Sequence, residues 1–494
     1  MLAGACAPAA VAGDSPGASM PVVPGDHPDP SLLRTAGGWY ATSTSGDWLP
    51  AFPILHSTDL RSWSQVGAVL PRRPRWATGN FWAPELVRRG GRVLVYYAAR
   101  ARDRRRCIAV ASAAGVRGPY RDHGPILCSR IGEIDPLPVR DEQGADWLIW
   151  KRDGNSRHRP TPILAAPLAP GGMSLAAPPQ ELFRADAPWE GRIVEAPALL
   201  RHDGTFYLVY SAGRCCGRRC NYATGVARSA SLLGPWEKRA GPILTGGHGI
   251  RCPGHAGIAS GPDGDPVLAY HAYVRGDPSN RQLLMAPLHF DAAGWPRVAP
   301  PNGIVPRPPA ESFEFGGELS AGWEWPSGPR PRSRVVADRL LLGRGALTRQ
   351  TGTTRFTAKA VVLAESGGAR AGLAVVAADG NEVGIELVDG GAVVWRADEG
   401  RRTTALKETS VLDNPPFRWA GQDSSHPQCC RSPVELRVSV GRHVTLALRT
   451  LGKWHTVGGP QPVPRWASGA RVALTVRGPA RARAQFDALS IDPR

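Results

Sequence analysis

The chain has 494 residues, with Gly 58 and Pro 48 among them, and a formal net charge of +18. That length exceeds one ordinary hydrophobic core and predicts two domains, and beyond the N-terminal residues no segment is long and apolar enough to span a bilayer as a helix. The charge does not indicate nucleic acid: apart from Lys151, Lys238, Lys359, Lys407 and Lys453 every cation is arginine, the bias of a GC-rich genome, and the densest run, RARDRRRC at 100–107, lies between two strand-like segments as a solvated loop.

The first residues, MLAGACAPAAVAGDSPGAS, are small and apolar as far as Cys6 and then loose and rich in Pro and Gly. LAGAC is like the end of a bacterial lipoprotein signal, although Leu2 stands one place too far from the cysteine and no charged region precedes it. Residues 1–21 are read as a signal-like or disordered leader with Cys6 as a lipid-anchor candidate, and the protein as secreted or extracytoplasmic. Setting Cys6 aside leaves eight of the nine cysteines, an even number that fits disulfides in an exported protein; no C-x-x-C pair has the partners of a zinc site.

Short apolar runs broken by Gly, Pro, Asp and Asn then follow one another, a pattern of all-β structure. Five segments share a turn followed by an aromatic-bearing strand: GGWYATSTS, GRVLVYYAAR, ADWLIWKRD, GTFYLVYSAG and GDPVLAYHAY. Taking Tyr40, Tyr97, Trp150, Tyr210 and Tyr270 as markers, the spacings are 57, 53, 60 and 60 residues. A unit of three or four strands cannot bury its own faces, so the five must stand around an axis. Residues 22–305 are therefore predicted to form a five-bladed β-propeller.

Upstream of each marker, where the innermost strand of a blade begins, stand Asp29 in HPDPS, Glu85 in WAPEL, Asp135 in EIDPLP, Glu195 in VEAPAL and His255 in CPGHAG. An Asp-Pro pair alone is a turn signal, and turn residues have no reason to recur in phase with blades. Equivalent inner-strand positions converge on one central funnel. Facing carboxylates in a pocket for a neutral substrate are what glycosidic bond cleavage needs, one protonated to serve the leaving oxygen and one ionised to activate water or attack carbon. Trp48, Phe81 and Trp82 are aromatics that could stack on sugar rings. Asp26 and His27 read as surface or capping residues.

HPDPS, NFWAPEL, EIDP, VEAP and GHAG followed by LAYHAY, in that order, resemble glycoside hydrolase family 43, a group of five-bladed propeller enzymes. The resemblance covers residues 22–300. It implies an inverting mechanism with Asp29 as general base, Asp135 as the residue that tunes and orients the acid, and Glu195 as general acid. It also implies substrate contacts from Trp82, His255 and Arg281. No cofactor is required, and a structural Ca²⁺ near His255 is allowed, as in some members. Glu85 departs from the family's usual WAPD and is assigned a structural role. The substrates implied are carbohydrates: arabinan, arabinoxylan or xylo-oligosaccharides. The activity the resemblance implies is that of an α-L-arabinofuranosidase or arabinanase, with a β-xylosidase as the alternative within the family and a non-catalytic sugar-binding propeller as the alternative outside it. Disulfides among Cys215, Cys216, Cys220 and Cys252 are expected to rigidify the pocket rim.

After the Pro-rich joint VPRPPAESFEF at 305–315, period-two alternation in ARAGLAVVAAD, NEVGIELVDGGAVVWRA, PVELRVSVGRHVTLALRT and ARVALTVRG reads as an antiparallel β-sandwich over 312–494. It resembles the concanavalin-like domain appended to many family members. A polar insertion at 406–433 carries the vicinal pair Cys429 and Cys430, for which a bond within the sandwich is expected.

Overall fold

The structure is a computed structural model that describes residues 20–299 and 308–494, apart from 156–157, 378–379, 389–390, 399–400, 409–432, 451, 465–468 and 470. Cys6 and the Cys429–Cys430 pair lie outside the described residues, and so do the expectations attached to them.

Four of the repeat units fold into four-stranded antiparallel sheets of sequential strands, from Ser31 to Leu70, Ala77 to Cys128, Glu133 to Phe183 and Val194 to Lys238. The fifth runs from Ile250 to Phe290, and its outer strand, Met20–Val23, comes from the start of the described chain, pairing antiparallel with Asp277–Phe290. Joining the first strand to the last blade closes the ring by hydrogen bonds, which leaves no open sheet between blades 5 and 1. The marker aromatics all lie on the second strand of their blades. Tyr97, Trp150, Tyr210 and Tyr270 are fully buried, and three of them satisfy their polar atom close by: Tyr97 donates to Asp122 and Trp150 to Glu133 within their own blades, and Tyr210 to Glu190 in the turn just ahead of its blade. A large ring with one hydrogen bond fixes both the depth and the rotation of the strand that carries it.

From Glu311 to Pro493 the chain forms two stacked antiparallel sheets. One is built on the long strands Phe356–Ser366 and Arg483–Pro493; the other runs in the order Gly345–Gln350, Arg471–Arg477, Arg370–Val376, Glu382–Val388, Gly391–Asp398, Arg401–Glu408. Alternate residues such as Leu347, Leu373, Ile385 and Leu474 of this sheet meet Leu436, Val438, Phe486 and Leu489 of the other in the core.

The two domains share a sheet and a core. Trp48–Leu49, in a loop of blade 1, pairs antiparallel with Trp325–Pro326 of the sandwich. Trp48 has 0% of its surface exposed and packs on Ala374, Val376, Trp395 and Ala473 of the outer face of the six-stranded sheet, under the Arg471 guanidinium at 4.7 Å. The expected sugar-stacking roles of Trp48 and Phe81 are therefore corrected: Trp48 is the contact of one domain with the other, and Phe81 is equally buried, against Phe52.

Candidate active site

The inner strands owe their functional side chains to a repeated backbone device. Asp29, Ala83, Asp135, Ala196 and His255 all have left-handed backbone angles, with φ of 55°, 47°, 55°, 54° and 51°. The first four each precede a proline, which bars the right-handed helical region to them. In blades 2 to 5 the strand register slips at this residue, so each is a bulge that re-aims its neighbours toward the axis. The equivalent positions around the ring are thus Asp29, Ala83, Asp135, Ala196 and His255. This corrects the sequence reading of five ionisable groups in phase: Glu195 stands one residue before its blade's bulge and Glu85 two residues after.

The bulges are tied blade to blade. The Ala83 N–H donates to Thr44 Oγ1 at 2.7 Å, Ala196 N–H to Asp135 Oδ2 at 2.9 Å, His255 N–H to Ser211 Oγ at 2.8 Å, and Asp29 N–H to His271 Nδ1 at 3.1 Å. Each acceptor belongs to the preceding blade, with blade 5 preceding blade 1. Asp135 therefore positions the backbone of the residue next to Glu195 as well as facing it.

Asp29 sits among cations and donors. Its Oδ2 accepts from Thr44 Oγ1 at 2.6 Å, and its Oδ1 lies 3.3 Å from His255 Nδ1, 3.3 Å from His271 Nδ1 and 3.5 Å from Arg281 Nη1. Burial works against charge on this carboxylate, but Arg281 and His255 outweigh it and hold Asp29 well below the usual range, ionised. His271 is itself fully buried and pushed down to about 4 by that burial, so a neutral ring accepts the Asp29 N–H through Nδ1. Asp135 goes the other way: burial, with repulsion from Glu195 and Asp29 and against attraction from His255 and Lys151, raises it to about 6.

Glu195 is held by a residue the sequence reading passed over. Lys151 Nζ lies 2.5 Å from Glu195 Oε2 and 3.5 Å from Asp153 Oδ1. Burial disfavours the ammonium, yet Glu195, Asp135 and Asp153 overcome this and raise it above the ordinary lysine value. Asp153 in turn receives Arg106 Nη1 at 2.9 Å, and the Arg106 guanidinium covers one face of Trp82 at 5.0 Å. Trp82, half-buried, is thereby connected to Glu195 through Arg106, Asp153 and Lys151. The last arginine of the 100–107 run belongs to this chain of charges, whereas Arg102 to Arg105 form the exposed hairpin turn expected.

Asp26 and His27 are buried, which corrects their reading as surface residues. The Asp26 carboxylate accepts the Arg281 N–H at 3.0 Å, and its own N–H donates to Gln350 Oε1 of the sandwich at 2.7 Å. Burial, followed by the charge of Arg471, pushes His27 down to about 4. The sandwich thus reaches the strand segment that presents Asp29.

The sequence profile described as "Glycosyl hydrolases family 43" matches residues 18–296, the whole propeller. The chain belongs to glycosyl hydrolase family 43. It is 30% identical over 271 residues to xylosidase/arabinosidase 43B of Humicola insolens, covering 51% of this chain and 48% of that relative. It is 26% identical over 289 residues to the extracellular endo-α-(1→5)-L-arabinanase 1 of Bacillus subtilis, covering 54% of this chain and 86% of the relative. The chain thus spans about half the length of the first and most of the second. The crystal structure of a xylan β-1,4-xylosidase from Bacillus halodurans superposes with a TM-score of 0.77 at 19% identity over 96% of this chain and 100% of that one, so the fold is shared across both domains.

Within this family 43 chain the rim cysteines divide. Cys220 bonds to Cys252, tying the 214–221 loop of blade 4 to the inner strand of blade 5, and Cys107 bonds to Cys128 across two strands of blade 2. Cys215 and Cys216 are free thiols, which corrects their expected part in disulfides; adjacent Cα atoms stand about 3.8 Å apart, short of the usual disulfide span. Among the described residues no three His, Cys, Asp or Glu side chains are grouped to hold a metal ion. His255 offers a single imidazole already facing Asp29, a poor match to the oxygen set that Ca²⁺ takes.

Proposed function

We propose that the chain hydrolyses glycosidic bonds of arabinose- or xylose-containing poly- or oligosaccharides with inversion at the anomeric carbon. The observation that carries this reading is the opposed treatment of the funnel carboxylates: Asp29 kept ionised by Arg281 and His255, and Asp135 and Glu195 crowded together. Asp29 is the general base that takes a proton from water, Glu195 the general acid that delivers one to the leaving oxygen, and Asp135 the residue that orients Glu195 through the neighbouring backbone. Lys151 fixes the Glu195 rotamer before substrate arrives. Arg281 and His255, on Asp29, and Trp82, on the Glu195 side, border the sugar.

The relatives' names, a xylosidase/arabinosidase and an extracellular endo-arabinanase, support the arabinofuranosidase or arabinanase assignment with β-xylosidase beside it, and support an extracytoplasmic location. The deciding test is release of nitrophenol from α-L-arabinofuranoside and β-D-xyloside by the intact protein and by Glu195→Ala. Release from one, abolished in the variant, supports the mechanism and identifies the sugar. Release from neither, together with binding of arabinan or xylan, returns the non-catalytic reading.

A further inference from the structure

We propose that Cys215 and Cys216 form a dithiol site at the mouth of the funnel for thiophilic ligands that bridge two sulfurs, trivalent arsenicals by chemical class, and that an occupant closes the funnel to substrate; the second half rests on the function proposed above. The loop that carries the pair is pinned on all sides. Arg214 N–H donates to Asn221 Oδ1 at 2.8 Å and Asn221 N–H to the Arg214 carbonyl at 3.2 Å. Gly217 N–H donates to the Tyr273 hydroxyl at 3.1 Å, Arg251 Nη1 donates to the Gly217 carbonyl at 3.2 Å, and Cys220 is bonded to Cys252. The two thiols are therefore presented together on a fixed support, Cys216 exposed and Cys215 half-buried against Tyr222, Cys252 and Tyr273.

That support leads directly to the base. The Tyr222 ring stacks on His271 at 5.9 Å, and His271 contacts Asp29. Both thiols feel the charges of Glu195 and Arg281, and Cys216 that of Asp29 as well. The hydrogen bond from Cys215, aided by Arg281, brings Cys216 down to about 7 while Cys215 is pushed up, so one sulfur is a ready nucleophile near neutral pH. Geometry selects the ligand. Neighbouring Cα atoms lie about 3.8 Å apart, below the range of about 4.4–6.8 Å that disulfides prefer, so direct S–S closure is strained. An atom inserted between the sulfurs relieves that strain. With a monosubstituted arsenical, R–As(OH)₂, both As–O bonds break and two As–S bonds form. The thiol protons leave with the hydroxyls as two waters, and no element changes oxidation state.

The test uses the full chain and phenylarsine oxide. Because the sequence holds a second vicinal pair, Cys429 and Cys430, the reference protein carries Cys429→Ser and Cys430→Ser. Intact-mass measurement should then show one arsenical per chain, peptide mapping should place it on 214–221, and adding Cys216→Ser should remove it. Glycoside hydrolysis should fall at least tenfold on saturation and return with 2,3-dimercaptopropanol but not with a monothiol, while the Cys216→Ser protein keeps its hydrolysis and ignores the arsenical. No adduct in the reference protein, or an adduct that maps elsewhere, overturns the site; an adduct with undiminished hydrolysis overturns the closure. If the reference protein hydrolyses neither glycoside, the mass and the map still decide the site, and the failure belongs to the proposed function.

Discussion

The propeller and the sandwich are built from the same material, short antiparallel strands with alternating buried side chains, yet the funnel's ionisable groups all come from the propeller. The difference is convergence. In the sandwich, alternation produces two faces, one sealed against the other sheet and one spread along a plane, so polar residues on neighbouring strands stand side by side. In the propeller, the inner strands of all five blades aim at one axis, and the left-handed bulge at the head of each strand turns a side chain inward. Asp29, Asp135, Glu195 and His255, distant in sequence, become neighbours there. The sandwich supplies a buried flank instead: the Trp48 contact and the Gln350 hydrogen bond to Asp26.

The sharpest way to break this contrast is to remove a converging charge. Asp29→Ala and Glu195→Ala should each lower kcat/KM for the cleaved nitrophenyl glycoside by roughly 100- to 10,000-fold, and because each leaves a buried cation, Arg281 or Lys151, short of a carboxylate, the unfolding temperature should fall as well. Retained activity in either variant would show that the chemistry lies elsewhere. Lys151→Met comes next. It leaves Glu195 and Asp153 buried without their shared cation, a loss of about 3–5 kcal/mol in stability. It also has a readout that packing alone does not move. Lys151 helps to lower Asp135, so without it Asp135 rises above about 6, which carboxyl NMR titration of the variant should show as a midpoint moved to higher pH.

Trp48→Ala probes the flank. A fully buried indole replaced by methyl costs about 3–5 kcal/mol, here at a contact that belongs to both domains. The expected result in calorimetry is a lower, broader transition that separates into two. A single transition shifted without separation would mean that the remaining shared core around Trp323, Trp325 and Leu49 couples the domains by itself.

Much of this was legible in the sequence, for a physical reason. The marker aromatics recur because every blade needs one large ring at the same depth of its second strand, so the period survives in the residues themselves, and with it the five-bladed fold. The register of the site was harder to read. A bulge adds one residue to a strand without a sequence signature beyond the following proline, and alternation counted through it assigns Glu85 and Glu195 to positions that belong to Ala83 and Ala196. Lys151 was missed because its strand, WLIWKRD, reads as ordinary blade core. The signal was there: one of five lysines in an arginine-rich chain, placed directly after a buried tryptophan, where a solvent-seeking side chain has no business unless a carboxylate waits for it. The burial of Asp26, His27 and Trp48 was invisible for a different reason, since what covers them is the other domain, some 300 residues away in sequence.

The smallest expected effect is also the most direct comparison of the two regions, through one carboxylate in each, Glu85 half-buried and Glu324 buried. Glu85, in the funnel wall, has desolvation as its main influence, set only against a hydrogen bond from Ser31, and is raised to about 8 from an ordinary value of 4.5. The folded protein therefore keeps a proton on Glu85 that the unfolded chain has already released, and the stability this gives is full below pH 4.5 and lost as pH rises toward 8. Glu85→Gln has no proton to lose. After allowance for screening by funnel water, the variant should be more stable than the parent by about 2 kcal/mol at pH 8 and equal to it at pH 4. In the sandwich, Glu324 instead meets Arg471 at 2.9 Å, so Glu324→Gln removes a charged partner and should destabilise at pH 8. Melting curves of both variants at the two pH values decide the matter. Opposite signs at pH 8 mean that the propeller holds an unpaired, desolvated acid at a cost which the sandwich, with its carboxylate paired, does not bear; equal signs would mean that the two regions handle such carboxylates in the same way.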